Sequence, residues 1–232
     1  MTNKFVKFVS DEHFLKCVKH VVSAYPPPGQ KLDMAKLQRN TLDPFKMVFD
    51  ILNGGTTISA WIKGEEIRQK DKTINNRIGE FHQMLLGGVD GWVNLGTGDE
   101  TKVDLRKGDN TIFIELKNKF NTPNSDSLSK VREKLKSLLQ AYPNSRAYWA
   151  YILDKNGESY DVIWKYGNEE PDERLRKISG KKVYELITGD PKALEAVWKA
   201  LPKAISKVIK KGIKIPDSEK IKLLGLFKAS IK

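Results

Sequence analysis

Two short segments hold residues whose types and spacing can do chemistry together. Val103-Asp104-Leu105 is followed, across Lys107-Gly108-Asp109-Asn110, by Thr111-Ile112-Phe113-Ile114-Glu115-Leu116-Lys117. The second segment is rich in β-branched residues and bounded by turn residues, so it reads as a strand. Side chains alternate along a strand, which puts Phe113, Glu115 and Lys117 on one face and Ile112, Ile114 and Leu116 on the other. A two-residue turn at Gly108-Asp109 pairs Asp104 with Phe113. Asp104 then shares the face of Glu115 as a diagonal neighbour, about 7–8 Å away between Cα atoms. That parity requires a turn without a bulge. Two carboxylates and one ammonium converging from rigid strands suit phosphodiester hydrolysis. Hard carboxylate oxygens hold Mg2+ with several of its waters. The ion polarises the scissile phosphate and acidifies a bound water, and a lysine orients that water and offsets charge building on the phosphate. Two rivals to Asp104 stay open: Asp99, sixteen residues before Glu115 and able to reach from a longer loop, and Asp109, which sits in the turn and suits a solvated role.

The elements that must position these residues follow from hydrophobic spacing. Phe14, Val18, Val21 and Val22 mark one helical face, and Pro26-Pro27-Pro28-Gly29 breaks the chain after it. Asp43-Pro44 places an N-cap before a proline at the first helical position, opening a helix with Phe45, Val48, Phe49 and Leu52 that ends at Asn53-Gly54-Gly55. Residues 57–86 read as helical, with Ile74, Ile78, Phe81 and Leu85 in register, closed by Gly87-Gly88. Trp92–Leu95 and Lys102–Leu105 are short extended segments. After the strand at 111–117, a polar loop leads into an amphipathic helix carrying Leu128, Val131, Leu135, Leu138 and Leu139 on one face. Ala147–Leu153 is a second strand, Asp154-Lys155-Asn156-Gly157 a turn, and Tyr160–Trp164 its expected hairpin partner. The rest reads as basic and helical, with Leu194, Val197, Trp198 and Leu201 at helical spacing. The expected class is α/β: a small mixed sheet flanked by helices, with helical N- and C-terminal additions. One domain over 1–232 is expected, with a mainly helical part at 1–88, the α/β core at 89–165 and a basic helical part at 166–232.

Composition narrows the field. The chain has 232 residues, with 41 Lys and Arg against 29 Asp and Glu, a net charge of +12. From Arg176 to Lys232 there are fifteen basic residues against five acids, so ten of the twelve excess charges lie in the last quarter. A polyanion, most economically a nucleic acid, is the partner this implies. Five Trp, seven Tyr and nine Phe among regular aliphatic spacing exclude wholesale disorder. No apolar run suits a membrane span, and the N-terminus shows no secretory leader. A lone cysteine, Cys17, excludes an internal disulfide and a cysteine-rich zinc site, and reads as a small buried hydrophobe on a helix. A cytoplasmic protein is expected.

The Asp104, Glu115 and Lys117 segment resembles the metal-binding signature of the PD-(D/E)XK nuclease superfamily. A wider stretch is similar to type II restriction endonucleases of that superfamily that cut GGNCC-type sites. It comprises Asn76-Arg77-Ile78-Gly79-Glu80-Phe81-His82-Gln83, Gly87-Gly88-Val89-Asp90-Gly91-Trp92, Val103-Asp104-Leu105, Glu115 through Thr122, and Tyr148-Trp149-Ala150-Tyr151-Ile152. The likeness covers about residues 60–200. Val103 stands where the superfamily usually has proline. The resemblance implies a restriction-endonuclease-like core with Asp104 and Glu115 as metal ligands and Lys117 as catalytic lysine. Glu80, on the preceding helix, matches a frequent accessory carboxylate that often reaches the metal through water. His82, two positions on, faces another side of that helix, and His13 and His20 read as structural. The loop after the strand offers Asn118, Lys119, Asn121, Thr122 and Asn124 to phosphates or base edges, and Arg146 and the basic C-terminal helices add phosphate contacts. The implied activity is Mg2+-dependent cleavage of double-stranded DNA at a short palindrome, leaving 5′-phosphate and 3′-hydroxyl ends, by a twofold homodimer. A repair or junction-resolving nuclease of the same superfamily, or a non-catalytic basic DNA-binding protein, are the alternatives the residues leave open.

Overall fold

A computed structural model of the chain describes residues 3–26, 42–96, 101, 103–120, 125–212 and 215–231. The chain falls into two compact units, one of residues 1–19 and 79–232, the other of residues 20–78. The elements among the described residues are α1 (Asp11–Val22), α2 (Pro44–Leu52), α3 (Ile58–Gly87), β1 (Trp92–Asn94), β2 (Leu105–Lys107), β3 (Ile112–Lys119), α4 (Ser125–Ala141), β4 (Arg146–Leu153), β5 (Asp161–Ile163), β6 (Leu175–Ser179), α5 (Gly180–Thr188), α6 (Ala193–Val208) and α7 (Asp217–Ser230).

In the smaller unit, α2 starts as its sequence directs. Asp43 accepts hydrogen bonds from the amides of Phe45 and Lys46, with Pro44 in the first turn. Asp50 accepts from the Trp61 indole at 2.8 Å and pairs with Lys46, tying α2 to the start of α3. The Arg77 guanidinium lies 2.9 Å from His20 Nε2.

The larger unit is built on a six-stranded sheet in the order β1-β2-β3-β4-β6-β5. β3, β4 and β6 run parallel, and the outer pairings are antiparallel. Helix α4 makes the crossover from β3 to β4, the usual way to join parallel neighbours. Six consecutive residues of β4, Ala147–Ile152, are buried, so both faces of the sheet are covered there. On one face Leu135, Leu138 and Leu139 of α4 pack on Phe113, Ala147, Trp149, Tyr151 and Leu175. Helix α5 lies against β4 and β6 and packs on α6. Gly180 opens α5 where a Cβ would stand 2.2 Å from the Ile152 carbonyl oxygen, so only glycine lets this helix start so close to β4.

Aromatic rings link the N-terminal segment to this body: Phe5 stacks on Phe14, Phe14 meets Phe81 edge-on, and His82 meets Tyr184. Cys17 on α1 is fully buried, as expected, and burial pushes its thiol up to about 12.

Two expectations change. Tyr160–Trp164 is not the hairpin partner of β4. The segment Leu175–Ser179, expected in the basic helical region, is strand β6 and inserts between β4 and β5. Leu175 and Ile178 are the buried anchors of β6, and the intervening Arg176 and Lys177 disguised it in the sequence. The sheet therefore runs beyond the boundary expected at 165. The structure is otherwise the mixed α/β arrangement expected, with helices on a mixed sheet. Among the described residues no helix is long and apolar enough to cross a membrane.

Candidate active site

The site forms where β2 meets β3. The observed register pairs Leu105 with Ile114 and Arg106 with Phe113, two residues away from the expected pairing of Asp104 with Phe113. The cause is a wider turn. Residues 108–111 separate the strands, and Asn110 takes a left-handed φ of 59° while its amide donates to the Lys107 carbonyl at 2.9 Å. A shift of two keeps side-chain parity, so Asp104 still comes beside Glu115, and closer than a diagonal pairing places it. The Asp104 amide donates to the Ile114 carbonyl at 3.1 Å, and its Oδ2 accepts from the Leu116 amide at 2.6 Å. The carboxylate is thus held by the backbone of the strand that bears Glu115 and Lys117.

Glu115 is buried, at 5% exposure, which an acid tolerates only when paired. The Lys117 ammonium donates to Oε1 at 2.6 Å and the Lys134 ammonium to Oε2 at 2.6 Å. Partial burial, reinforced by the neighbouring charge of Glu115, holds the Asp104 carboxyl above the ordinary carboxylate range. The Leu116 N–H and the charges of Lys117 and Lys134 oppose that rise. Burial alone would lower the Lys117 ammonium, but the charge and hydrogen bond of Glu115, with Asp104 behind them, hold it above its usual value. Lys117 is therefore a cation in the resting site.

Behind Glu115 the parallel register continues as Trp149 on β4 and Lys177 on β6. The Lys177 ammonium lies 5.6 Å from the Trp149 ring centre and 5.1 Å from that of Trp164. Both rings belong to the buried core that also holds Leu135, Leu138 and Leu139.

The remaining sequence candidates divide clearly. Asp109 is fastened in the turn: its Oδ1 accepts from the hydroxyl and the amide of Thr111, which holds its carboxyl down to about 2, and its other oxygen lies 3.1 Å from Lys107. That is a turn-capping role. Asp99 and the loop residues Asn121, Thr122 and Asn124 lie outside the described residues. Asn118 and Lys119 end β3, and Asn118 lies against Gly79 of α3, one residue before Glu80. Glu80 does not join Asp104 and Glu115 in a three-ligand cluster, since no group of three or more His, Cys, Asp or Glu able to hold a metal occurs among the described residues. His82 is buried with Nδ1 2.7 Å from the Tyr184 hydroxyl, and burial lowers its pKa to about 4, so it is a packed, neutral ring. His13 Nε2 lies 2.9 Å from the Met84 carbonyl. Arg146 begins β4 and is exposed.

Lys134 escaped the sequence reading. It lies three residues after Val131 and four before Leu138, on the flank of the apolar stripe of α4. That position marks a polar group at the sheet–helix seam, but nothing in the spacing says which carboxylate it meets.

The profile of the Eco47II restriction endonuclease family matches residues 6–210 of this chain. The chain is 31% identical to the type II restriction enzyme Sau96I of Staphylococcus aureus, over 98% of its own length and 88% of that protein. It is 30% identical to the type II restriction enzyme Eco47II of Escherichia coli, over 95% of its own length and 98% of that one.

Proposed function

The chain belongs to the Eco47II restriction endonuclease family, and from that membership and the site at the β2–β3 junction we propose a Mg2+-dependent enzyme that hydrolyses phosphodiester bonds of double-stranded DNA at a short palindrome. The observation that carries the site assignment is the convergence of Asp104, Glu115 and Lys117, two carboxylates and a charged lysine fastened to paired strands. The donor set fits the ion. Mg2+ is commonly held by one or two carboxylates with waters completing its shell, so two adjacent carboxylates suffice without a third protein ligand. Asp104 and Glu115 would hold it, and Glu80 would act only through water.

When bound, the ion supplies polarisation of the phosphate and a more acidic water. The chain's own residues do the rest. The Leu116 amide fixes the direction of Asp104. Glu115, gripped at both oxygens, presents a rigid carboxylate. Lys117 supplies a compact positive charge to orient the attacking water and to offset charge gathering on the phosphate. In-line attack by that water leaves a 5′-phosphate and a 3′-hydroxyl. The whole chain acts as one endonuclease domain in the PD-(D/E)XK manner, supported by the family match running through both compact units. A palindrome offers each strand the same sequence, so a twofold dimer would bring one such site to each strand. Asn118, Lys119, Asn121, Thr122 and Asn124, in and after β3, are placed by sequence to approach the DNA. The recognised sequence, by resemblance, is of the GGNCC type.

Digestion of a sequenced plasmid with Mg2+ present, followed by mapping of the fragment ends, tests this reading. Discrete bands with 5′-phosphate ends at GGNCC-type sites are expected. Random nicking, or cutting that persists in excess chelator, would overturn it.

A further inference from the structure

We propose that Lys134 is a positioning residue for cleavage: it clamps one oxygen of Glu115, leaving Lys117 free to turn from the other oxygen to the substrate. The inference rests on the reading of Glu115 and Lys117 given above. Two lysines on one carboxylate look redundant, yet they differ in how they are held. Lys117 stands on β3 with its side chain 48% exposed, whereas Lys134 reaches in from α4 with only 21% exposed. It is the neighbour of Leu135, which packs α4 on the sheet, so its ammonium is held at the sheet–helix seam on Glu115.

A carboxylate terminus rotates easily about its last bond. A hydrogen bond at one oxygen orients it only while that partner stays. An incoming phosphodiester is an anion and competes with Glu115 first for the more exposed of the two lysines, Lys117. Were Lys117 the sole clamp, Glu115 would lose its orientation when substrate arrives. The more enclosed clamp at Oε2 removes that conflict, and each carboxylate oxygen keeps a second lone pair for another partner. The two lysines therefore divide the labour: Lys134 holds, and Lys117 acts.

The test pairs Lys134→Met, which keeps the stem and removes the ammonium, with Lys134→Arg, which keeps the charge. One readout is Mn2+ binding to the protein without DNA, followed by electron paramagnetic resonance. The other is steady-state cleavage. A partner that orients a metal ligand is worth about 10–100-fold. Lys134→Met is expected to weaken Mn2+ binding by about that factor and to lower kcat, with KM for DNA within about twofold of the parent. Lys134→Arg should recover most of both. Lys117→Met, by contrast, should stop cleavage while Mn2+ binding stays near parental. Unchanged Mn2+ binding and kcat in Lys134→Met would overturn the proposal. So would tighter Mn2+ binding with normal cutting, which would make Lys134 only a competing cation. If Lys134→Met does not fold, Lys134→Gln, which retains one donor but no charge, is read by the same criteria. Glu115→Ala separates the levels: if it keeps Mn2+ binding, the reading beneath fails, and if it loses binding while Lys134→Met keeps it, only this inference fails.

Discussion

At the residue scale, a buried carboxylate must be paired, and Glu115 answers that constraint with two ammoniums while Asp104 answers it with a backbone amide. The result is a site whose directions are set before any ligand arrives. Glu115→Ala and Lys117→Ala should therefore each lower cleavage by a factor of about 10³ or more, because each removes several kcal/mol of transition-state stabilisation. Circular dichroism of both variants should match the parent, and wild-type-like cutting by either would refute the assignment. The neighbouring aspartates discriminate further. Asp104→Asn should lose activity to a similar degree, whereas Asp109→Asn should cut normally, since Asp109 is spent on Thr111 in the turn. Plasmid cleavage rates measured side by side decide between them. The sequence correctly put Asp104 on the face of Glu115, because a register error of two leaves parity intact.

At the scale of elements, two glycines in helices should respond oppositely to alanine. A Cβ at Gly180 would strike the Ile152 carbonyl at the junction of β4 and α5, and backbone cannot step aside as a flexible side chain can. Gly180→Ala should cost about 1–3 kcal/mol, the usual range for overpacking. Gly64, within α3, would meet nothing within 4 Å. Gly64→Ala should add about 0.5–1 kcal/mol to that helix. Urea unfolding for the first, and amide exchange along α3 for the second, check the signs. Element reading from sequence succeeded where a single pattern dominated, as in α4 and β3. It failed at β6, where a short strand sets Arg176 and Lys177 together between buried Leu175 and Ile178 and carries no alternation to separate it from a basic helix.

At the scale of the molecule, burial and charge set the response to solution conditions. His82 takes a proton at about 4 in the folded chain, against an ordinary value of 6.5, because its ring is buried. Between 6.5 and about 4 the unfolded chain binds this proton and the folded one does not. The contribution of His82 to stability is thus intact above 6.5, falls as pH drops, and levels off below about 4, a loss of order 3 kcal/mol. Melting curves from pH 7 to 4.5 should show a shallower decline for His82→Gln than for the parent, and parallel curves would refute this. The basic surplus makes a second prediction. Several of its members are locally neutralised, Lys182 by Glu185, Lys199 by Glu195, Lys220 by Asp217 and Lys222 by Glu219. DNA binding should still weaken steeply with salt, log K falling by about 0.9 per phosphate contact per decade. Reversing several lysines between Lys199 and Lys214 should flatten that slope for specific and non-specific DNA alike, without changing the sequence recognised. An unchanged slope would assign this surface to solvent.

The sequence by itself determined the class of most elements, the face that Asp104, Glu115 and Lys117 share, and the family resemblance, since alternation along a strand and periodicity along a helix are local properties of the chain. Tertiary structure alone decided what depends on distant segments meeting. The width of the 108–111 turn fixed the β2–β3 register. The insertion of β6 beside β4 displaced the expected hairpin. The packing of α4 across the sheet brought Lys134, nineteen residues downstream, onto Glu115. Spacing along a chain specifies which side a residue faces, but only packing in three dimensions specifies what it faces.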